Sequence, residues 1–330
     1  GFEVEVLNFI PDQVKRQYSM NPFEYSKTPR VILSLLFRNF HRRKQNQLFR
    51  TFQRDYLKLG LTIRTAEHLH KVECEFDYIS VGSDQVWNVS LTGTIKDYYL
   101  DFESKTTKKM SYAGSFGTNH VNKYQIDQMK RCFPNYTAIS VREVLGKDII
   151  KENTGLNAQV VCDPVFLLNR DMWSEIEKKP DIIDDEKKYV LYYTLKYDRD
   201  LIAKAEEYAQ KHDALLYAIH PTAVCQKIKG KQLYDVGPME FVWLVQNAFC
   251  VVTNSFHATA FSVIFRKKLI YKSVNGLGGR VTSLFRQLNL KYEEEDGVMD
   301  LVKIDDLNME RLRRTGTDFL DLVFGQGELP

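Results

Sequence analysis

Long apolar runs are missing from this sequence of 330 residues. The longest, Val31 to Phe37, falls far below the roughly 20 residues that a bilayer-crossing helix requires. No signal-peptide pattern is visible. Cysteine is sparse, and Cys74, Cys132, Cys162, Cys225 and Cys250 stand singly with no CxxC pair. That spacing offers neither a zinc framework nor a disulfide scaffold, and it suits a reducing compartment. An excess of one charge is lacking too: the formal net charge is +3, too small over this length to argue for nucleic acid. HExxH, the Walker loop and a complete GxGxxG are absent, which argues against a zinc hydrolase, a P-loop NTPase and a standard dinucleotide enzyme. His68 and His70 form a pair without further ligands and make no metal site. These absences lead to the expectation of a cytoplasmic protein that uses no metal.

What is present is the balance of a soluble globular chain, 44% hydrophobic and 27% charged. The length accommodates one large domain or two ordinary ones. Strand patterns are expected over residues 3–9, 76–81, 109–113, 138–141 and 158–161, each ending in small or polar residues. Composition changes over 168–187, where Asp, Glu, Lys and Pro180 suggest a linker. Beyond it the βα rhythm is cleaner. Strands are expected over 189–195, 214–220, 249–253 and 268–271, and helices over 200–211, 238–247, 256–265, 281–287 and 309–323. Alternation of this kind predicts an α/β protein, with two Rossmann-like domains whose parallel sheets face a central cleft. The expected boundaries are 1–168, 188–306, and 307–330 for a C-terminal helix that packs back on the first domain.

Open α/β sheets bind ligands beyond the carboxyl ends of their strands. One such end is Val251-Val252-Thr253-Asn254-Ser255-Phe256-His257, where an apolar strand runs into two good N-cap residues, Asn254 and Ser255, and then a helix. The first helical N–H groups lack internal partners and favour an anion, and His257 falls in the same turn, within reach of proton transfer. An ordinary N-capped helix fits these residues equally well. A second strand end carries Gly82-Ser83-Asp84-Gln85-Val86-Trp87-Asn88. Asp84, Gln85 and Asn88 suit sugar hydroxyls, Asp84 as a base, and Trp87 offers a plate for a sugar face. Taken alone, an Asx-stabilised turn with Trp87 in the core explains them better. Arg142, after a third strand, suits bidentate capture of phosphate or carboxylate, or an ion pair with Glu143. Ser115 lies in the similar turn 111–117, where Gly114 and Gly117 allow close backbone approach. Arg280, after a glycine-rich stretch at 276–279, is a candidate for a second anion, and a flexible surface loop explains that stretch equally well. Residues 38–56 form a basic helix with Phe49, Phe52 and Tyr56 at helical spacing. It reads as a solvated face packed by its aromatics, or as a contact for an anionic membrane surface.

Taken in order, GSDQVWN (82–88), SYAGSFG (111–117), SVRE (140–143), DPVFLL (163–168) and TNSFHATAFS (253–262) resemble the polysaccharide pyruvyl transferase family across most of the chain. The resemblance implies a GT-B-like fold and phosphoenolpyruvate as donor, with no cofactor. It also implies a pyruvate ketal built on a sugar of a surface, capsular or exopolysaccharide, or of its lipid-linked precursor. By that likeness the first domain takes the acceptor and the second the donor. His257 matches the family's active-site histidine and Arg142 its donor-binding arginine. Asn254, Ser255 and Arg280 are expected at the donor as well, while Gln85, Trp87, Asn88 and Ser115 are expected at the acceptor. Family members usually begin with a further strand and an Asn-Tyr-Gly-type loop ahead of residues 3–9, so part of the acceptor cleft is expected to lie outside this sequence. Many members also carry glycine where Ala258 stands. A GT-B glycosyltransferase using a nucleotide sugar, and a non-catalytic saccharide-binding or assembly protein, are the alternatives. Donor choice and acceptor-dependent phosphate release separate them.

Overall fold

A computed structural model describes residues 2–10, 28–63, 75–94, 96–183, 187–219, 228–273, 279–291 and 297–325. The His68/His70 pair, His220 and residues 276–278 lie outside this set, as do the side chains of residues 33–42 in the basic helix.

Strand β1 (Val6–Asn8) pairs in parallel with β2 (Leu59–Thr62), and α1 (Pro29–Tyr56) lies between them in sequence. The strand expected over 3–9 is therefore shorter and belongs to a separate two-stranded sheet. The main N-terminal sheet is fully parallel, in the order β3 (Tyr78–Asp84), β4 (Lys108–Gly114), β5 (Tyr136–Val141) and β6 (Gln159–Val160). Its helices are α2 (Val89–Thr92), α3 (Lys123–Cys132) and α4 (Val144–Thr154). Reciprocal bonds start α3: Gln125 N–H donates to Asn122 Oδ1 at 3.0 Å, and Asn122 N–H to Gln125 Oε1 at 2.9 Å. One face of the sheet packs Trp87, Phe116, Phe133 and Ile150 into a core.

The expected linker contains a helix, α5 (Arg170–Ile176). Trp173 anchors it, donating to the Val165 carbonyl at 2.9 Å and meeting Phe261 edge-on at 4.9 Å. The second half contains β7 (Tyr189–Tyr193), α6 (Arg199–Lys211), β8 (Leu215–Ile219), β9 (Lys231–Leu233), α7 (Pro238–Asn247), β10 (Cys250–Thr253), α8 (Phe256–Ile264), β11 (Lys268–Tyr271), α9 (Gly279–Gln287) and β12 (Met299–Asp300). The sheet order is β12-β11-β10-β7-β8-β9, with only β12 antiparallel. The order reverses between β10 and β7, and such a switch point opens a crevice at the strands' carboxyl ends. Both strands are buried apolar runs, as a sheet covered on two faces requires.

The closing helix, α10 (Asp306–Phe324), returns to the N-terminal half. Phe319 and Val323 pack with Met110, Tyr112, Ala138 and Val161 on the sheet face opposite the Trp87 cluster. Cys162 N–H donates to Thr315 Oγ1 at 2.9 Å, and the Tyr78 hydroxyl donates to the Val323 carbonyl at 3.1 Å. Burying a phenylalanine side chain contributes roughly 1.5–3 kcal/mol, so Phe319 alone ties the two halves appreciably.

Candidate active site

The carboxyl ends of both sheets deliver polar side chains to one place. Asp84 ends β3, Arg142 and Glu143 follow β5, and Asp163 lies shortly after β6. From the other half come Phe256 and His257, in the first turn of α8, and Arg280, in the first turn of α9.

Asp163 is the hub. Its carboxylate is buried, with 1% side-chain exposure, and Oδ2 accepts from Arg142 Nη1. The same oxygen lies 3.4 Å from Ser83 Oγ, which donates to it, and 3.8 Å from His257 Nε2. Oδ1 accepts from Val165 N–H at 3.1 Å, which fixes the carboxylate plane. Arg142 spends its second nitrogen on Asp84, with Nη2 to Oδ1 at 3.0 Å. Arg280 reaches that same oxygen from the opposite half, with Nη1 at 3.2 Å. Both guanidinium groups stack over Phe256, at 4.5 Å for Arg142 and 5.8 Å for Arg280. Among the described residues, nothing accepts from the Nε of either arginine.

The charges shift one another in a consistent pattern. Burial works to lower the Arg142 guanidinium, but Asp163, Asp84 and Glu143 outweigh it and hold Arg142 above the usual arginine value. Burial and the neighbouring Arg142 charge push Arg280 down. For Asp84, burial works to raise the carboxyl, yet Arg142, His257 and Arg280 together hold it below the usual aspartate range. Glu143 goes the other way. Burial raises it, and Arg142, the Ser115 hydroxyl and Arg280 offset this only in part. Its Oε1 accepts from Ser115 Oγ at 2.7 Å.

The α8 terminus has the geometry of an anion site. Ser255 caps it through a 3.5 Å bond from Ala258 N–H, and Thr253 Oγ1 accepts from Ser255 N–H at 2.9 Å. The N–H groups of Phe256 and His257 lie in the first turn, where a helix offers no internal acceptor. The His257 side chain is 39% exposed, so one imidazole edge meets solvent while the other faces Asp163.

Several expected contacts take different places. Asn254 does not point to an anion: its Oδ1 accepts from Leu195 N–H at 2.9 Å and its Nδ2 donates to the Lys196 carbonyl at 3.2 Å. It bridges the switch point, tying the end of β10 to the loop after β7. Trp87 is fully buried, with its indole N–H on the Tyr98 carbonyl at 2.9 Å, and it is a core residue and no sugar plate. Gln85 and Asn88 bond each other at 2.7 Å, and Asn88 caps α2, so both stabilise the turn. Ser115 is buried and engaged with Glu143. Gly114 and Gly117 make room for neighbouring side chains rather than for a ligand, because a Cβ on Gly114 would lie 2.5 Å from the Trp87 ring and one on Gly117 would overlap Gln85. In α1, Gln45 donates to the Val236 carbonyl at 3.3 Å and Lys44 pairs with Asp235 at 3.4 Å. One face of that helix is thus committed to the fold, while Phe49 and Tyr56 stay 46% and 45% exposed. In the sequence, Asp163 stands out only as the first residue of DPVFLL, and Phe256 only as part of the run from a strand into its helix. The signal for Asp163 is its Asp-Pro pair immediately after a strand, the kind of strand end that carries the other acids.

The family profile for polysaccharide pyruvyl transferase matches residues 7–275. The chain belongs to the polysaccharide pyruvyl transferase family. This is a transferase family of polysaccharide biosynthesis, and its matched span takes in Asp84, Arg142, Asp163 and His257. No curated protein matches the sequence. Among solved structures, the pyruvyl transferase chain is similar to the UDP-GlcNAc 2-epimerase of Neisseria meningitidis bound to UDP-GlcNAc. The two share 13% identity, with 86% of this chain and 90% of that one covered at a TM-score of 0.51. The UDP-GlcNAc 2-epimerase of Methanocaldococcus jannaschii matches at 14% identity, 85% and 90% coverage and a TM-score of 0.49. A Streptomyces glycosyltransferase complexed with thymidine diphosphate matches at 10% identity, 93% and 79% coverage and a TM-score of 0.36. At 13% identity the likeness to the Neisseria enzyme speaks to fold alone: this pyruvyl transferase family member has the GT-B arrangement of two Rossmann-like halves. Among the described residues, no helix is long and apolar enough to cross a membrane.

Proposed function

We propose that this chain moves a pyruvyl group from phosphoenolpyruvate onto two hydroxyls of a sugar, releasing phosphate and closing a pyruvate ketal. The observation that carries the reading is the meeting of His257, the α8 terminus and two arginines from opposite halves at one cleft. Phosphoenolpyruvate presents two anionic groups on one small carbon frame, and this site presents two kinds of anion receptor side by side. The phosphate is taken by the Phe256 and His257 amides at the positive end of α8. The carboxylate is taken by Arg142 and Arg280, whose fork geometry suits it. The acceptor is a sugar of a surface polysaccharide or of its lipid-linked precursor. A lipid-linked acceptor would bring the exposed aromatics of α1 to the membrane surface.

In this reading the C=C electron pair of the donor takes a proton at the methylene carbon from His257. The first sugar oxygen bonds the central carbon and gives its proton to a carboxylate. Phosphate then leaves with the C–O electron pair, and the second hydroxyl closes the ketal, its proton going to the departing phosphate. Fixed charges stabilise the developing oxyanion and oxocarbenium character. Asp163 positions the imidazole and Arg142 together.

The test is acceptor-dependent phosphate release from phosphoenolpyruvate, with mass spectrometry of the product for a ketal-linked pyruvate. His257→Ala should lower turnover by about 100- to 10,000-fold, the range of a lost acid–base group, with an unchanged unfolding midpoint. Near wild-type turnover in that variant would end its assigned role. Stabilisation by nucleotide sugars in place of phosphoenolpyruvate would move the chain to glycosyl transfer.

A further inference from the structure

Two arginines on opposite halves converge on a single oxygen, Asp84 Oδ1, at 3.0 and 3.2 Å. Their side chains are 2% and 9% exposed, and each retains a buried Nε without an acceptor among the described residues. Asp84 differs from both. Its side chain is 55% exposed and its backbone sits at φ 64°, the left-handed region that residues with a β-carbon adopt at a cost. A buried pair of cations thus grips a carboxylate carried on a solvent-facing, strained turn. Asp163 and Glu143 flank Arg142 from within the fold, so Asp84 is the one of its three acidic neighbours whose side chain reaches solvent.

We propose that the Asp84 carboxylate is a built-in occupant of the seat for the donor's carboxylate, displaced when donor binds and thereby freed to take the proton of the acceptor hydroxyl. The inference rests on the pyruvyl-transfer reading and adds an order to it, donor before acceptor. While both arginines hold Asp84 it is a poor base, because their charges stabilise its ionised form. Once the arginines turn to an incoming carboxylate that hold is gone, and proton affinity rises where the hydroxyl arrives. The displacement also has a cost: donor affinity is reduced by the fraction of time the seat is occupied from within.

Asp84→Asn separates this from ordinary ligand binding. Asparagine tolerates the left-handed backbone and keeps the side chain's shape while removing the charge. It should bind phosphoenolpyruvate, and also the phosphate-free probe pyruvate, about tenfold more tightly by calorimetry, while turnover falls at least about 100-fold. Asp84→Gly, which suits φ 64° still better, should behave alike and guards against a folding defect in the first variant. Equal or weaker binding of both probes in the two variants would overturn the proposal. Crystals of the wild-type protein soaked with phosphoenolpyruvate should show Asp84 withdrawn from Arg280, and an intact pair beside bound donor would overturn it as well. The underlying reading fails separately. A gain for pyruvate with no phosphoenolpyruvate binding to any protein keeps the seat and removes the donor. Identical phosphoenolpyruvate binding by wild type and variants keeps the donor and removes the seat.

Discussion

The two halves reach the same cleft by different means. The C-terminal sheet is regular: β10 pairs β7 and β11 without a register shift, and every β10 residue is buried. It delivers chemistry from the starts of two helices, the α8 terminus with its imidazole and Arg280 of α9, and none from the strands themselves. The N-terminal sheet gives up regularity. β4 and β5 shift register twice, Ala113 and Asp84 take positive φ, and Arg142, Glu143 and Asp163 carry charge into a dry interior. Breaking the local rules here is what lets short strands aim acids and a guanidinium at a site on the other half. A helix end supplies partial positive charge without a buried ion, so the C-terminal half brings one buried guanidinium, Arg280, to the cleft where the N-terminal half brings Arg142, Glu143 and Asp163.

The largest effect that should separate the halves comes from deleting each arginine. Arg142→Ala leaves the Asp163 carboxylate buried without its main partner, a loss of about 3–5 kcal/mol in unfolding free energy. A donor-binding arginine, which is the role the family resemblance implies for Arg142, would lose mainly donor affinity on this change, whereas the geometry makes it a stability change first. Arg280→Ala should cost only about 1 kcal/mol, because its partner Asp84 stays in reach of solvent. Urea unfolding of the two variants checks the difference, and equal losses would erase the distinction between the halves.

A smaller effect concerns the helix that joins them. A Cβ on Gly316 would come within 2.8 Å of Cys162 Sγ and 2.9 Å of Leu167 Cδ2, so α10 can lie flat on the N-terminal sheet only with glycine there. Gly316→Ala should lower stability by about 1–3 kcal/mol through overpacking. It should also raise proteolytic cleavage within 306–324. Wild-type stability in that variant would show that α10 is docked from elsewhere.

The same contrast governs what could be read from residues alone. In the C-terminal half, the helix at Pro238–Asn247 and the strand at Lys268–Tyr271 have the bounds that their patterns predict, because apolar runs bounded by Pro, Asn and Lys leave little choice. In the N-terminal half, strand β3 runs three residues past its apolar pattern to Asp84, since backbone pairing with β4 continues after the side chains have turned polar. The site shows the same division. His257 and Arg142 are legible from their places after strands. Trp87, Gln85, Asn88 and Ser115 carry sugar-binding chemistry by type, but their partners, Tyr98, each other and Glu143, are set by tertiary contacts that no local spacing encodes. Asp163 is legible only as the acid of an Asp-Pro pair after a strand, because its importance lies in Arg142 and His257, one in its own half and one across the cleft.

The finest test of the comparison is a slope with pH, because at the cleft the N-terminal half buries an acid that is short of partners. Glu143 Oε2 has no hydrogen-bond partner among the described residues, and Arg142 Nε stands 3.9 Å from it. Burial therefore leaves the carboxyl above the ordinary glutamate value of 4.5 in the folded protein. Between that value and the raised one, the folded chain keeps a proton that the unfolded chain has released. Folding stability must then fall as pH rises through the window, by at most about 1.4 kcal/mol per pH unit for one proton. Asp84 acts with the opposite sign: held below its usual range, it contributes stability above the unfolded value of 3.8 that is lost on acidification. Glu143→Gln cannot ionise and should make the descending limb above pH 4.5 shallower, with Glu177 keeping its own share, while leaving the acid limb in place. Urea unfolding at closely spaced pH values measures both limbs. An unchanged descending limb in Glu143→Gln would mean that Glu143 is ionised in the fold, and that Arg142 neutralises all three acids around it.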